Sequence, residues 1–175
     1  MRSFITLTAC LLITNHLAAQ STINYGSLAT FSENGNLQIV VEIPAGTNKK
    51  LEYNYVTNTF PADIKDGKER IIKFLPYPGN YGFIPSTMMN RVRGGDGDAL
   101  DVLVLSQHSA TQTILEVIPI ALLNLIDNGE IDSKIIAVPI NPNHRVISAA
   151  SYSQLHLEYP KVQQLIKLWF TSYKG

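Results

Sequence analysis

Five of the seven aspartates in the chain fall in two short segments. Asp96, Asp98 and Asp101 lie in Gly95-Asp96-Gly97-Asp98-Ala99-Leu100-Asp101, and Asp127 and Asp132 flank Asn128-Gly129-Glu130. Carboxylates gathered this way repel, by about 1 kcal/mol per pair at about 4 Å in bulk water and about four times that at the effective dielectric of a protein surface. Something cationic should stand among them, and hard divalent ions such as Mg²⁺ take oxygen ligands of this kind. Asp101 runs directly into Val102-Leu103-Val104-Leu105, and a carboxylate in such an apolar run is costly to bury unless it is paired or metal-bound. A calcium-hand loop counted from Asp96 would need glycine sixth and glutamate twelfth, but Asp101 and Gln107 stand there, which excludes it.

In the second segment Asn128-Gly129 between apolar runs is the favoured two-residue hairpin turn. It pairs Asp127 with Glu130, and strand alternation puts Asp132 and Lys134 on the same face. A solvated acidic hairpin is the alternative use of that turn. The cations Lys50, Arg70, Lys134 and Lys174 and the phenols Tyr77, Tyr81 and Tyr173 form a complementary set. Together they suit the oxyanions of a phosphate substrate, although each alone is an ordinary surface or rim residue. His108, His144 and His156 share no ligand spacing and are read as surface or satisfied residues.

The elements that must position these groups are mostly strands. Leu37 to Ile43 is a β-branched apolar run, Lys50 to Thr57 alternates, and Arg70 to Leu75, Leu100 to Leu105, Thr113 to Ile126 and Lys134 to Ile140 are strand-like. Pro76 to Gly82, rich in proline and glycine, reads as a loop without regular structure. Only the end looks helical: after Pro160, Val162, Leu165, Ile166, Trp169, Phe170 and Tyr173 recur at spacings of three and four as one apolar stripe. The expected class is α+β, mainly β: an antiparallel sheet or small barrel with a C-terminal helix packed on it.

With 45% hydrophobic and 16% charged residues over 175 positions, the composition is globular and disorder is excluded. No repeat or linker divides residues 21–175, which are expected to form one domain. Residues 1–20 differ: Arg2, an apolar run from Phe4 to Leu17 and the small residues Ala18 and Ala19 read as a secretory signal peptide. The run is broken by Asn15 and His16 and falls short of a membrane span. Export to the periplasm or medium is therefore expected, with a lipid anchor on Cys10, the only cysteine, as the minor reading. Without the leader the chain carries 13 basic against 14 acidic residues, a balance that offers no general attraction for nucleic acid.

Taken in order, these residues match a known pattern. Glu42-Ile43-Pro44-Ala45-Gly46 with Lys50 and Glu52, then Tyr77-Pro78-Gly79-Asn80-Tyr81-Gly82, then Asp96-Gly97-Asp98-Ala99-Leu100-Asp101-Val102-Leu103-Val104, then Asp127, Asp132 and Lys134 before Ile135-Ile136-Ala137-Val138-Pro139, and finally Tyr173-Lys174 follow one another along the chain. From about Leu37 to Lys174 the sequence resembles soluble family I inorganic pyrophosphatases, with Arg70 matching the family arginine across a one-residue gap. The resemblance implies an OB-like β-barrel with flanking helices, hydrolysis of inorganic pyrophosphate to two phosphates, and several Mg²⁺ ions per site, with Mn²⁺ or another divalent metal as a substitute. It implies Asp96, Asp101 and Asp132 as metal ligands, Asp127 at a further ion, Glu42 and Glu52 acting partly through water, and Asp98 as general base. Lys50, Arg70, Tyr173 and Lys174 would hold phosphoryl oxygens, with Tyr81 and Lys134 as further substrate contacts. A homo-oligomer, hexameric by analogy with bacterial relatives, is also implied. A catalytically inactive phosphate- or metal-binding module of the same fold is the alternative.

The leader reading predicts that N-terminal sequencing of protein from its native compartment starts near Gln20 or Ser21. An intact Met1 in the cytoplasm, or a lipid on Cys10, would contradict it.

Overall fold

The structure, a computed structural model, describes residues 23–174. The expected leader over residues 1–20, with Cys10, lies outside the described residues. In chain order the strands are β1 (Leu37–Ile43), β2 (Ile64–Lys65), β3 (Lys68–Glu69), β4 (Asn80–Phe83), β5 (Asp101–Val104), β6 (Ile114–Leu123), β7 (Ile126–Asp127), β8 (Glu130–Ile131) and β9 (Lys134–Pro139), followed by helices α1 (Tyr152–Glu158) and α2 (Pro160–Ser172). Five strands close into a barrel in the order β1-β4-β5-β9-β6, with β1 pairing both β4 and β6. All its pairings are antiparallel except β5 with β9. Among the described residues no helix is long and apolar enough to cross a membrane.

Strand alternation builds two cores from the same strands. Ile39, Val41, Val102, Val104, Val117 and Ala137 fill the barrel with Ile84. Their alternates Ile43, Leu103, Ile136 and Val138 face outward and are covered by Ile166, Trp169 and Phe170 of α2 and Leu155 of α1. Strands buried on both faces read as continuous Val/Ile/Leu runs, and each fully buried side chain contributes roughly 1.5–3 kcal/mol.

The expected strands and their observed extents differ in instructive ways. Leu37 to Ile43 is a strand from end to end. Lys50 to Thr57 is not one: Leu51 and Asn54 make only isolated bridges to Ala62 and Thr59. The Asn54 Oδ1 accepts from the Val56 and Thr57 amides at 2.9 and 3.0 Å, so a local side-chain turn replaces the ladder. Arg70 to Leu75 is reduced to one bridge, Ile71 with Lys49, and bends ahead of Pro76. The neighbouring hairpin is β2-β3, closed by Asp66 and Gly67 with φ of 53° and 73°. Thr113 to Ile126 is divided between β6 and β7.

Of the loop expected over Pro76 to Gly82, the last three residues are not irregular: Asn80–Phe83 is barrel strand β4. Glycine belongs there for steric reasons, since a Cβ on Gly82 would lie 1.9 Å from the Val40 carbonyl oxygen of β1. The C-terminal helix forms as expected, but Leu165 is 61% exposed and drops out of its buried stripe. A second helix, α1, precedes it, its N-terminus capped by the Ser151 hydroxyl accepting from the Gln154 amide at 3.3 Å.

Gly82→Ala should push β4 away from β1 and cost about 1–3 kcal/mol, the usual range for overpacking. Urea unfolding measures this as a lower midpoint, and an unchanged midpoint would show that the close approach is not required.

Candidate active site

The barrel's parallel pair sets the site. β5 and β9 start together, with Asp101 opposite Lys134, and both residues share the outward face that carries Leu103 and Ile136. Beside them β1 carries an irregularity: Val41 pairs with Gly82 and Ile43 with Tyr81, which leaves Glu42 as the extra residue. A bulge of this kind re-aims a side chain. Glu42 is buried, and its Oε1 accepts from the Tyr53 amide at 2.7 Å.

Two further pieces are brought up to this rim. The Asp96–Asp98 turn is closed by the Asp98 amide donating to Asp96 Oδ1 at 2.9 Å, and the Met89 and Gly97 backbones pin it. The acidic hairpin β7-β8 turns at Asn128 and Gly129, with φ of 50° and 88°, and pairs Asp127 with Glu130 as expected. It is tied to the first turn by the Ile131 amide donating to the Gly94 carbonyl at 2.7 Å. The end of α2 supplies Tyr173 and Lys174. Tyr173 stacks on Trp169, their ring centroids 4.6 Å apart, and the Trp169 indole N–H donates to the Leu75 carbonyl at 2.9 Å. The helix therefore delivers its last turn to the site on an anchored aromatic column.

The result is one cleft of about 450 Å³. All thirteen site residues expected from the sequence line it: Glu42, Lys50, Glu52, Arg70, Tyr81, Asp96, Asp98, Asp101, Asp127, Asp132, Lys134, Tyr173 and Lys174. Tyr77 joins them, as do Tyr53, Tyr55 and Glu130, whose place in the site the sequence does not signal. Glu130 was visible as the hairpin partner of Asp127. Tyr53 and Tyr55 lie in an alternating run that reads as a strand but does not form one, so local pattern does not direct them toward the cleft.

Charge is arranged in pairs. The Lys134 ammonium binds both Asp101 and Asp132, Lys50 binds Glu52, and Lys174 binds Asp127. Asp63, outside the cleft lining, accepts from Arg70 at 3.0 Å and lies 3.5 Å from Lys50. Among the described residues no three acids converge into a ready-made metal cage; the acids are instead paired with lysines. Burial works against the Lys134 and Lys50 ammonium groups, but their carboxylate partners outweigh it and hold both above the usual lysine value. The Lys174 hydrogen bond holds Asp127 below the usual carboxylate range. Asp98 is pushed up, first by burial and then by the charges of Asp96 and Glu52. Burial, reinforced by Glu42 and Asp98, pushes the Tyr55 phenol up to about 12.

Eight carboxylates and four cationic side chains line this cleft. The donors are all hard oxygens, and their charge exceeds what the lysines and Arg70 neutralise, which fits divalent cations of the Mg²⁺ type. An acid-and-cation cleft at the rim of an OB-type barrel defines a metal-assisted phosphoryl-transfer hydrolase.

Comparison with known proteins is specific. Residues 39–175 match the family described as inorganic pyrophosphatase. The chain is 35% identical over 136 residues to an inorganic pyrophosphatase of Neisseria meningitidis serogroup B, covering 77% of this chain and 68% of that protein. Among solved structures, the inorganic pyrophosphatase of Thermus thermophilus superposes with a TM-score of 0.72 at 30% identity, over 87% of this chain and 80% of that one. That of Neisseria gonorrhoeae gives 0.65 at 36% identity, over 80% and 74%. The chain belongs to the inorganic pyrophosphatase family.

Glu42 yields a pH test of the bulge. Burial pushes its carboxyl from 4.5 to about 8. Between those values the native state holds a proton that the unfolded chain has lost, so stability falls as pH rises through that window. Glu42→Gln keeps the acceptor for the Tyr53 amide without the charge. In chelator its unfolding free energy should exceed that of wild type at pH 8 by on the order of a few kcal/mol, seen as a higher melting temperature, and the two should converge near pH 4. Equal melting at pH 8 would contradict the burial argument.

Proposed function

We propose that the cleft hydrolyses inorganic pyrophosphate to two phosphate ions, with divalent cations as cofactors and Asp98 as the general base. The observation that carries the reading is the convergence of all the expected acids, lysines, Arg70 and tyrosines from six separate segments on one cleft. The family supports pyrophosphate as substrate and a divalent cation as cofactor, and the all-oxygen donor set favours Mg²⁺.

Asp96, Asp101 and Asp132 would hold the activating cations, Asp127 a further one, and Glu42 and Glu52 would act partly through water. When bound, such ions polarise phosphoryl oxygens and acidify water, from a pKa of about 15.7 toward about 7. The remaining chemistry belongs to the side chains. Asp98, unpaired with any lysine and raised by burial and by Asp96, takes the proton from the attacking water. The water oxygen bonds to one phosphorus while the bond from that phosphorus to the bridging oxygen breaks. Lys50, Arg70, Tyr173 and Lys174 receive the phosphoryl oxygens and stabilise charge as it moves onto the departing phosphate. Tyr81, buried with its ring 5.8 Å from the Lys134 ammonium, supports that lysine at the cleft floor.

The leader expected over residues 1–20 supports a further proposal, that the reaction runs outside the cytoplasm.

Purified protein should release phosphate from pyrophosphate with Mg²⁺ and lose that activity in excess chelator; equal rates in both would refute the metal requirement. Asp98→Asn should lower kcat by roughly 10²–10⁴-fold while sparing metal affinity. If Asp98→Asn lost the metal and Asp101→Asn kept it, the two roles would be reversed.

A further inference from the structure

One wall of the cleft is aromatic. Tyr53 is buried and stacks on Phe83 with centroids 5.2 Å apart, while Tyr55 meets Tyr53 edge-on at 4.7 Å. Tyr55 is 59% exposed and lines the cleft together with Glu42 and Asp98. Among the described residues its hydroxyl makes no hydrogen bond, although every hydrogen bond that orders its neighbour Tyr53 is in place.

What holds this wall is a segment upstream of residue 39, where the family match begins. A short 3-10 turn, Tyr25–Ser27, is capped by Asn24 and crosses the back of the Tyr53–Asn58 loop. The Gly26 amide donates to the Tyr53 hydroxyl at 3.1 Å, and that hydroxyl donates to Asn58 Oδ1 at 2.8 Å. The Asn58 side-chain amide in turn donates to the Ile23 carbonyl at 2.7 Å. Tyr25 closes the back of the wall against Phe60, their centroids 5.3 Å apart. The strap sits flush on the Tyr55 ring: a Cβ on Gly26 would lie 2.7 Å from Tyr55 Cδ1. Nothing larger than glycine leaves the ring where it is.

We propose that the Ile23–Leu28 strap fixes the Tyr53–Asn58 loop so that the Tyr55 hydroxyl donates a hydrogen bond to a phosphoryl oxygen of bound pyrophosphate. Tyr55 is then a substrate-binding residue, and Gly26 and Tyr53 are positioning residues that act through it. This rests on the pyrophosphate reading above. A neutral phenol is a donor that the surrounding carboxylates tolerate, and a hydrogen bond to an oxyanion is among the stronger ones. A ring already clamped on its back loses little freedom when substrate arrives. Because the contact exists before the chemical step and persists through it, its loss raises KM and leaves kcat unchanged.

The experiment compares wild type, Tyr55→Phe, Gly26→Val and the double variant in steady-state pyrophosphate hydrolysis with Mg²⁺, alongside calorimetric binding of inorganic phosphate. Tyr55→Phe should raise KM roughly tenfold or more with kcat within about twofold of wild type. Gly26→Val should raise KM similarly, and the double variant should be no worse than Tyr55→Phe alone, since both changes break one contact. A wild-type KM in Tyr55→Phe overturns the substrate contact; multiplying effects in the double variant overturn the positioning role of the strap. If Gly26→Val does not fold, Tyr53→Phe, which unties the strap without adding bulk, takes its place in the same cycle. A wild-type protein without pyrophosphate turnover would refute the underlying reading, and phosphate affinity, weaker in Tyr55→Phe or equal to wild type, would then decide the Tyr55 contact by itself.

Discussion

The Lys134 ammonium between Asp101 and Asp132 is the contact on which the rest of the structure depends. Lys134 is 4% exposed, and a lysine so buried keeps its charge only because two carboxylates face it. Its position fixes the relative register of β5 and β9, the one parallel pair of the barrel, and so the place where both strands begin. Everything in the cleft is arranged around that point. Remove the ammonium and two neighbouring carboxylates are left facing each other in a half-buried place; remove either carboxylate and the lysine loses part of what holds its proton.

The same logic repeats outward with less burial. Lys174 meets Asp127 where the end of α2 reaches the β7-β8 hairpin, and Lys50 meets Glu52 and Asp63 where the chain leaves β1. These outer pairs are more exposed, so each contributes little to stability, and their value is positional. The anchored column of Trp169 and Tyr173 does the packing that the Lys174 pair alone could not. A cleft built this way is stable as a set of acid-lysine pairs, yet it keeps more acids than cations. Divalent ions and an anionic substrate answer the two kinds of charge together.

What could be read in the sequence follows from how local each signal is. The acids of the Asp96–Asp101 turn and the Asn128-Gly129 hairpin declare themselves within a few residues, and both lie where expected. Residues 37–43 and the stripe on α2 are legible because apolar periodicity is local too. Asn80–Gly82 reads as part of a loop because glycine and proline outweigh everything in a window that cannot see the Val40 carbonyl across the sheet. Lys50 to Thr57 alternates like a strand, but Asn54 captures two amides and turns it, which placed Tyr53 and Tyr55 in the wrong context. The Lys134 pair with Asp132 is legible, since strand alternation puts both on one face, but the Glu42 bulge and the Asp101 side of the Lys134 bridge are not, since both are properties of strand register between segments distant in sequence.

The central claim is that the acids surplus to the lysine pairs are neutralised by bound divalent cation, and thermal melting under Mg²⁺ titration in the absence of substrate tests it most directly. A ligand that binds only the native state at about 100 times its Kd adds about 2.7 kcal/mol. The melting temperature of the chelated protein should therefore climb by several degrees in a saturable way, and Asp132→Asn should blunt the climb. A wild-type protein whose melting temperature is the same in chelator and in saturating Mg²⁺ would contradict the account.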